Sequence, residues 1–127
     1  MFKLSQKSDY GLILLSNVAK SKGVISVSSI AKKNKLSSKF LSQVALELKK
    51  AGILKSKEGI TGGYSLAKSA KQIKVLDVLT VLDGGLVKGE CFEDDHECKC
   101  GAKEMWGDLK AQMEETIGRK TVADLVV

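Results

Sequence analysis

The three cysteines of the chain lie in one short segment, which favours metal or thiol chemistry. They are Cys91, Cys98 and Cys100 in the sequence GECFEDDHECKCG, and the only histidine, His96, lies among them. Thiolates are soft ligands that suit iron–sulfur clusters, zinc or copper(I). Three cysteines cannot all pair within one chain, so the segment favours metal binding or a reactive thiol over structural disulfides.

The residues leave several chemistries open for this segment. A glycine-flanked loop can wrap three thiolates round one iron–sulfur cluster. His96 and the three cysteines also make a possible tetrahedral zinc set, although a single residue between Cys98 and Cys100 is not a common zinc spacing. Cysteines without a metal can instead respond to oxidants by forming a disulfide or a sulfenate.

Charge divides the chain into a basic part and an acidic part. Residues 1–75 hold 15 Lys, no Arg and three acidic residues, a formal charge of +12. Residues 76–127 hold six basic and 12 acidic residues, a formal charge of −6. Lysines displace condensed counterions from nucleic acid, which gives affinity independent of base sequence. The basic part therefore predicts nucleic-acid binding, with a membrane surface as the weaker alternative.

Length and composition indicate one compact domain, or one domain with a small appendage. The 127 residues are 43% hydrophobic and 28% charged, which is too apolar for a disordered chain. No apolar run approaches the roughly 18 residues of a membrane span, and the first residues lack a signal-peptide pattern. We therefore expect a cytoplasmic protein without a membrane partner. The single histidine and the lack of a catalytic triad or nucleotide-binding motif argue against an enzyme.

Apolar spacing and capping residues predict three helices followed by a hairpin. An apolar face from Tyr10 to Val18 predicts the first helix, and Ser26 and Ser37 are suitable N-caps for the second and third. Two short strands joined by a glycine-containing turn follow from Ile53 onward. This order is typical of a winged helix-turn-helix, in which the third helix enters the major groove of DNA.

Two more helices are predicted after the hairpin. A dense apolar stretch from Ile73, closed by Gly84 and Gly85, predicts a largely buried helix. Beyond the cysteines, residues recur at coiled-coil spacing in a last helix: Ala102, Trp106, Leu109, Met113 and Thr116. About two heptads are too few to be stable alone, so this helix is predicted to pack against a second copy. Packing on its own domain is the alternative.

The predicted fold class is mainly α with a small β wing. Residues 1–84 are expected to form the winged helix-turn-helix domain, and residues 85–101 a cysteine-bearing sensor loop. Residues 102–127 are expected to form a dimerisation helix and a short tail.

The polar face of the third helix contains the candidate DNA-reading residues. Lys39, Ser42 and Gln43 lie opposite the apolar face near the amino-terminal end of the helix, with Ser38 beside them. Gln43 can pair bidentately with adenine, Lys39 can donate to guanine or phosphate, and Ser42 can serve either partner. Leu46 shares this face, where it would touch a thymine methyl group or pack on a neighbouring helix.

Several motifs, spread over nearly the whole chain, are shared with one known family. They are LSSKFLSQVALELKKAGILKSKEGITGGYSLAK, IKVLDVLTVLDGG, Asp9-Tyr10-Gly11-Leu12, Trp106 six residues after the last cysteine, and the closing Thr121 to Leu125. In these motifs the chain resembles the Rrf2 family of transcriptional regulators, which has IscR-like and NsrR-like members. The resemblance implies a homodimeric repressor or activator that binds a double-stranded DNA operator, with the carboxy-terminal helices crossing to form the dimer.

The resemblance also concerns the DNA-contacting residues, with one departure in the wing. Family contact positions fall on Lys39, Ser42 and Gln43, as the polar face predicts. The family wing often carries an Arg that enters the minor groove, and the matching residue here is Glu58. A lysine binds phosphate but lacks the planar fork of Arg, so the wing lysines, Lys55 and Lys57, are expected only to position the protein on the DNA backbone.

Cluster-binding members of the family hold iron with three cysteines of the matching loop, which implies the same role for the three cysteines here. Their spacing is more even than the six and then one intervening residues of this chain. Asp9 of the partner subunit matches the carboxylate ligand of an NsrR-like [4Fe-4S] site. His96 is the competing ligand, for a [2Fe-2S] cluster or zinc. Lys103 occupies the position of the ligating histidine in an IscR-like chain.

The residues and the resemblance together predict a sequence-specific, DNA-binding transcriptional regulator. Its signal is expected to be redox state, nitric oxide or iron–sulfur status, sensed through a cluster bound by the cysteine loop. Such a cluster is easily lost in air, so a purified form can lack it. The alternative is a DNA-binding regulator without a cluster, controlled by its thiols, by a partner or by zinc.

Overall fold

The computed structural model describes residues 5–21, 23–84 and 101–126. Within these ranges the chain forms five α-helices and one antiparallel hairpin. The helices are α1 (Gln6–Lys20), α2 (Val27–Asn34), α3 (Ser38–Lys50), α4 (Val75–Asp83) and α5 (Gly101–Ile117), and the strands are β1 (Leu54–Lys57) and β2 (Gly63–Leu66). Two short 3-10 helices, η1 (Ala70–Gln72) and η2 (Val122–Leu125), follow β2 and α5. The predicted architecture, mainly helical with a small β wing, is observed.

Serine side chains begin the first three helices. Ser26 and Ser37 cap α2 and α3 as predicted, and Ser5 caps α1. Each side-chain oxygen accepts a hydrogen bond from the backbone N–H three residues later, at 3.0 to 3.2 Å. These bonds satisfy donors that have no partner within the first helical turn.

One hydrophobic core lies between the first four helices and the base of the hairpin. Leu14 and Leu15 of α1, Leu41 and Leu48 of α3, and Val78 of α4 are fully buried in it. The core face of α1 differs from the predicted one, because Leu15 is buried whereas residues 13 and 17 are only partly covered. The reason is that α1 is packed on several sides, by α3, α4, β2 and η2.

The chain after α5 returns to this core. Val122 of η2 is fully buried, and its backbone N–H donates to the carbonyl of Ile73 at 2.9 Å. The N–H of Val75 donates in turn to the carbonyl of Lys120 at 3.1 Å. The sequence predicted only a short tail here. These backbone bonds join residues that are some fifty positions apart, and no local sequence signal predicts such a tertiary contact.

The wing is attached to the connection between α1 and α2. β1 pairs with β2 in a register that places Leu54 opposite Leu66. Ile25 forms an additional bridge to Tyr64, with N–H to carbonyl distances of 3.0 and 2.8 Å. Gly63 makes this approach possible, since a Cβ there would lie 2.3 Å from the carbonyl oxygen of Ile25. The hairpin therefore holds a fixed orientation relative to α1 and α2.

The last two helices, α4 and α5, differ in how many of their side chains are buried. In α4, the residues Val75, Val78, Leu79 and Leu82 are buried, but Val81 is 41% exposed. The prediction of a largely buried helix thus holds for one face only. In α5, no residue is buried. No helix among the described residues is long and apolar enough to cross a membrane.

Candidate nucleic-acid interface

The amino-terminal end of α3 is held in place by α1. The rings of Tyr10 and Phe40 meet edge to face, with centroids 4.9 Å apart and planes at 78°. The Tyr10 hydroxyl accepts a hydrogen bond from the backbone N–H of Ser37, the N-cap residue, at 3.5 Å. An edge-to-face pair adds directional stabilisation to apolar burial. These contacts fix the part of α3 from which base-reading side chains are expected to project.

The one acidic residue of α3 is neutralised by α1. Glu47 accepts a hydrogen bond from the Nζ of Lys7 at 2.9 Å, and each side chain is about two-fifths exposed. An exposed ion pair adds little stability. Its electrostatic consequence is larger, because it leaves the exposed face of α3 without an uncompensated negative charge that would repel phosphates.

The exposed face of α3 carries the residues that the sequence singled out. It consists of Ser38, Lys39, Ser42, Gln43, Leu46, Lys49 and Lys50, all of them exposed. Leu46, which also lies on this face, is 44% exposed. The opposite face of α3 is buried in the core.

The wing follows α3 closely and adds two cations. The backbone N–H of Ile53 donates to the carbonyl of Leu48 at 3.0 Å, so the end of α3 and the start of β1 are joined. Lys55 and Lys57 are exposed, and because they are two residues apart on a strand they lie on one face of the hairpin. Glu58, the residue after β1, is exposed as well.

Of the predicted metal ligands, only Asp9 lies within the described residues. Cys91, His96, Cys98 and Cys100 lie outside the described residues. Asp9 is described, and it is exposed in the first turn of α1. The described residues contain no group of three or more His, Cys, Asp or Glu that could hold a metal. The soft donors are thus confined to the cysteine segment, and Asp9 is an accessible carboxylate outside it.

One polar contact near Asp9 was missed by sequence reasoning. The hydroxyls of Ser5 and Ser8 donate to the same oxygen, Oδ2 of Asp83. Ser8 is 1% exposed, so the bond to Asp83 satisfies a polar group that is buried. The contact ties the start of α1 to the last residue of α4, two positions before the segment 85–100. The only local signal for Asp83 is its position before Gly84, the left-handed residue that ends α4.

A three-helix unit with an exposed basic helix and an adjoining wing defines a winged helix-turn-helix protein. The family model for Rrf2, described as an iron-dependent transcriptional regulator, matches residues 4–127. The chain therefore belongs to the Rrf2 family.

Relatives and solved structures agree with this assignment. The chain is 34% identical over 125 residues to the HTH-type transcriptional regulator CymR of Bacillus subtilis (strain 168), covering 97% of this chain and 88% of the relative. The solved structure of CymR, described as the global cysteine regulator of B. subtilis, matches with a TM-score of 0.83 over 98% of this chain and 96% of that chain. The structure of T. potens IscR matches with a TM-score of 0.81 at 34% identity, over 98% and 85%. The chain is a transcriptional regulator of the CymR and IscR type and not an enzyme, and regulators of this family bind DNA.

Proposed function

We propose that the protein is a homodimeric regulator that reads an operator through α3 and the wing. Its affinity for DNA changes with the chemical state of its cysteines. The observation that carries the proposal is the exposed face of α3, on which base-reading side chain types occur beside lysines and no uncompensated acid is present. This combination suits the major groove, where hydrogen bonds to base edges specify the sequence and cations bind the phosphates.

Each residue of this interface has a role that its chemistry determines. Gln43 pairs with an adenine through its amide, and Ser42 hydrogen-bonds a neighbouring base edge. Lys39 donates to guanine or to a phosphate, and Ser38 to a phosphate at the start of the helix. Leu46 lies against a thymine methyl group. On the wing, Lys55 and Lys57 bind phosphates and set the position of the protein on the duplex.

Binding measurements on substituted proteins test this assignment. The probe is a duplex that the unsubstituted protein selects from a random-sequence pool. Gln43→Ala is expected to weaken binding by about tenfold or more and to relax the preference at one adenine. Lys57→Ala is expected to weaken binding to all sequences and to reduce the dependence of log K on log salt by about one. Lys71→Ala, which removes an exposed lysine of η1, is the control and should retain both properties.

The apolar side of α5, which is only partly covered within the described chain, supports the homodimer. Trp106, Leu109, Met113 and Ile117 are only partly covered, and Met105 is 56% exposed. A helix of this length is marginal in water unless an apolar face is packed. A second α5 in a two-fold arrangement supplies that packing, and it spaces two copies of α3 for half-sites about one helical turn apart.

The cysteine segment is proposed as the effector site. Three thiolates, from Cys91, Cys98 and Cys100, are a donor set that fits an iron–sulfur cluster. The accessible carboxylate of Asp9 suits a fourth ligand given by one subunit to the other in a [4Fe-4S] site, whereas His96 would complete a [2Fe-2S] site. A bound cluster would supply a group that reacts with oxygen or nitric oxide.

Position along the chain links this segment to DNA binding. Residues 85–100 join α4 directly to α5, and Asp83 at the end of α4 is hydrogen-bonded to the start of α1. A change in how the segment packs would therefore shift the dimer helix relative to the DNA-binding domain. Half-site spacing makes operator affinity sensitive to such a shift. Linkage then requires that DNA binding change the stability of the cysteine site by the same factor.

A second candidate is thiol control without a metal, and two observations favour it. The chain is as similar to CymR, described as a cysteine regulator, as it is to an IscR. In addition, the cysteine spacing is uneven and Lys103 replaces the histidine expected of an IscR-like chain. In this mode, oxidation of Cys98 or Cys100 changes DNA affinity through a disulfide or a sulfenate.

Spectra and metal content of protein purified without oxygen separate the two candidates. The cluster predicts broad visible absorption with iron and sulfide bound to each subunit, and loss of colour on exposure to nitric oxide. A colourless, iron-free protein that cannot be reconstituted would support thiol control, or zinc if zinc is found. Asp9→Ala and His96→Ala form a matched pair, and only the substitution of the true ligand should destabilise the cluster. If Cys91→Ala, Cys98→Ala and Cys100→Ala all bind DNA like the cluster-bearing unsubstituted protein and still change their DNA affinity on oxidation as it does, the sensing role is wrong.

A further inference from the structure

The side chain at the tip of the wing is more exposed than any other large apolar side chain among the described residues. Ile60 has a relative exposure of 107%, whereas the others that are exposed lie between 38% and 56%. Elsewhere in the hairpin, Leu54 is 2% exposed, and Tyr64 and Leu66 pack against the core. Ile60 therefore adds nothing to the core of its own chain.

The turn at the wing tip does not require an apolar residue. The N–H of Gly62 donates to the carbonyl of Gly59 at 3.0 Å, and Gly59 has a φ of +112°. Ile60 and Thr61 occupy the two positions between these glycines. Central positions of such turns favour Pro, Asn, Asp or Gly, so turn geometry does not explain a β-branched apolar residue.

The surroundings of Ile60 match a polyanion with an apolar recess. Lys55 and Lys57 are exposed on the strand that leads to the tip, and β1 is joined to the end of α3. Proteins that bind the minor groove often insert an apolar side chain there while cations contact the bordering phosphates. Glu58 has the wrong charge for that groove and Thr61 is polar, so Ile60 is the apolar group at the tip that can enter it.

We propose that Ile60 enters the minor groove of the operator and determines a preference for A·T pairs beneath the wing. This inference rests on the proposed DNA-reading function and adds a contact to it. A G·C pair places an amino group in the minor groove, and an isoleucine offers that donor no acceptor. An A·T pair lacks the amino group, so the side chain packs against base edges and sugars. Lys55 and Lys57 bind the phosphates on either side.

The test uses the full chain and the duplex selected from a random-sequence pool. Ile60→Ala is expected to bind this duplex about tenfold more weakly, because apolar contact area is lost. The salt dependence should not change, since no charge is removed. Replacing adenine beneath the wing by 2,6-diaminopurine adds an amino group to the minor groove alone. This replacement should weaken the unsubstituted protein and leave Ile60→Ala unaffected.

Val126→Ala provides the matched control, because Val126 is also an exposed apolar residue but lies outside α3 and the hairpin. It should bind both duplexes like the unsubstituted protein. The inference about Ile60 would be overturned if Ile60→Ala and the unsubstituted protein bound with equal affinity, or if both were equally sensitive to diaminopurine. Neither result would contradict the proposed DNA-reading function. Failure of the unsubstituted protein to select any sequence would overturn the proposed DNA-reading function. The unfolding temperature should not change in Ile60→Ala, because Ile60 is fully exposed, and should fall only slightly in Val126→Ala, because Val126 is 38% exposed.

Discussion

At the scale of a single residue, Asp124 holds together the turn that follows α5. Its Oδ2 accepts a hydrogen bond from the backbone N–H of Thr121 at 2.8 Å and another from the Thr121 hydroxyl at 3.3 Å. The backbone bond is the main reason that the pKa of Asp124 lies below its ordinary value of 3.8, and the Thr121 hydroxyl and the charge of Lys120 lower it further. Desolvation of the carboxylate opposes this shift of the pKa. The carboxylate is therefore favoured in the folded chain.

This lowered pKa predicts the pH dependence of an Asp124→Asn substitution. A carboxylate whose pKa is lowered by folding stabilises the fold above its ordinary pKa, and that stabilisation is lost as pH falls through the lowered value. Asp124→Asn should thus have a lower urea midpoint than the unsubstituted chain at neutral pH. The difference should disappear in acid. Thr121→Val keeps the backbone donor and should have the smaller effect, and a pH-independent difference for Asp124→Asn would contradict the assignment.

At the scale of an element, the wing depends on the close approach of β2 to the connection before α2. Gly63→Ala would place a Cβ 2.3 Å from the backbone oxygen of Ile25 and 2.8 Å from the N of Ser26. Backbone atoms cannot move aside as a flexible side chain can, so the substitution should destabilise the fold by roughly 2 kcal/mol. Urea denaturation measures this free energy of unfolding.

Gly107→Ala on α5 is the matched control for the wing substitution. Apart from the neighbouring backbone of α5 itself, no atom of the described residues lies within 4 Å of a Cβ placed on Gly107. Alanine is the better helix former, so the substitution should stabilise the fold by about 0.5 to 1 kcal/mol. A similar loss of stability for both variants would show that the bridge between Ile25 and Tyr64 is not what holds the wing.

At the scale of the whole molecule, α5 is expected to form the dimer. Leu109 lies on its apolar side, and Leu109→Lys places a charge where a second α5 is proposed to pack. Burial of an unpaired charge is costly, so the dimer should dissociate. Sedimentation equilibrium should then give half the mass of the unsubstituted protein. Operator affinity should fall by at least about tenfold, because one subunit engages only one half-site.

Ala111→Lys tests whether the dimer effect is specific to one side of α5. Ala111 is exposed and lies on the opposite side of the helix from Leu109, two residues away. This variant should keep the mass and the operator affinity of the unsubstituted protein. A dimer that survives Leu109→Lys, or one that is lost in both variants, would place the interface elsewhere.

Local sequence signals predicted most of the elements but not their contacts. Ser26 and Ser37 marked the starts of α2 and α3 correctly because N-capping depends on neighbouring residues alone. The exposed face of α3 followed from helical periodicity, and the observed exposure of Lys39 and Gln43 agrees with it. The bridge from Ile25 to Tyr64 was not predicted, because an isolated pair of residues gives no alternating pattern.

Patterns along the chain were enough to predict the family, the winged architecture and the candidate residues for DNA reading and cysteine chemistry. These follow from periodicity, capping, charge and side-chain type, which are properties of neighbours along the chain. The packing of the helices, in contrast, is what brings the tail after α5 to the core, Lys7 to Glu47, and Ser5 and Ser8 to Asp83. Such contacts join residues more than thirty positions apart. Their pairing depends on how the helices pack, and side-chain type alone does not specify it.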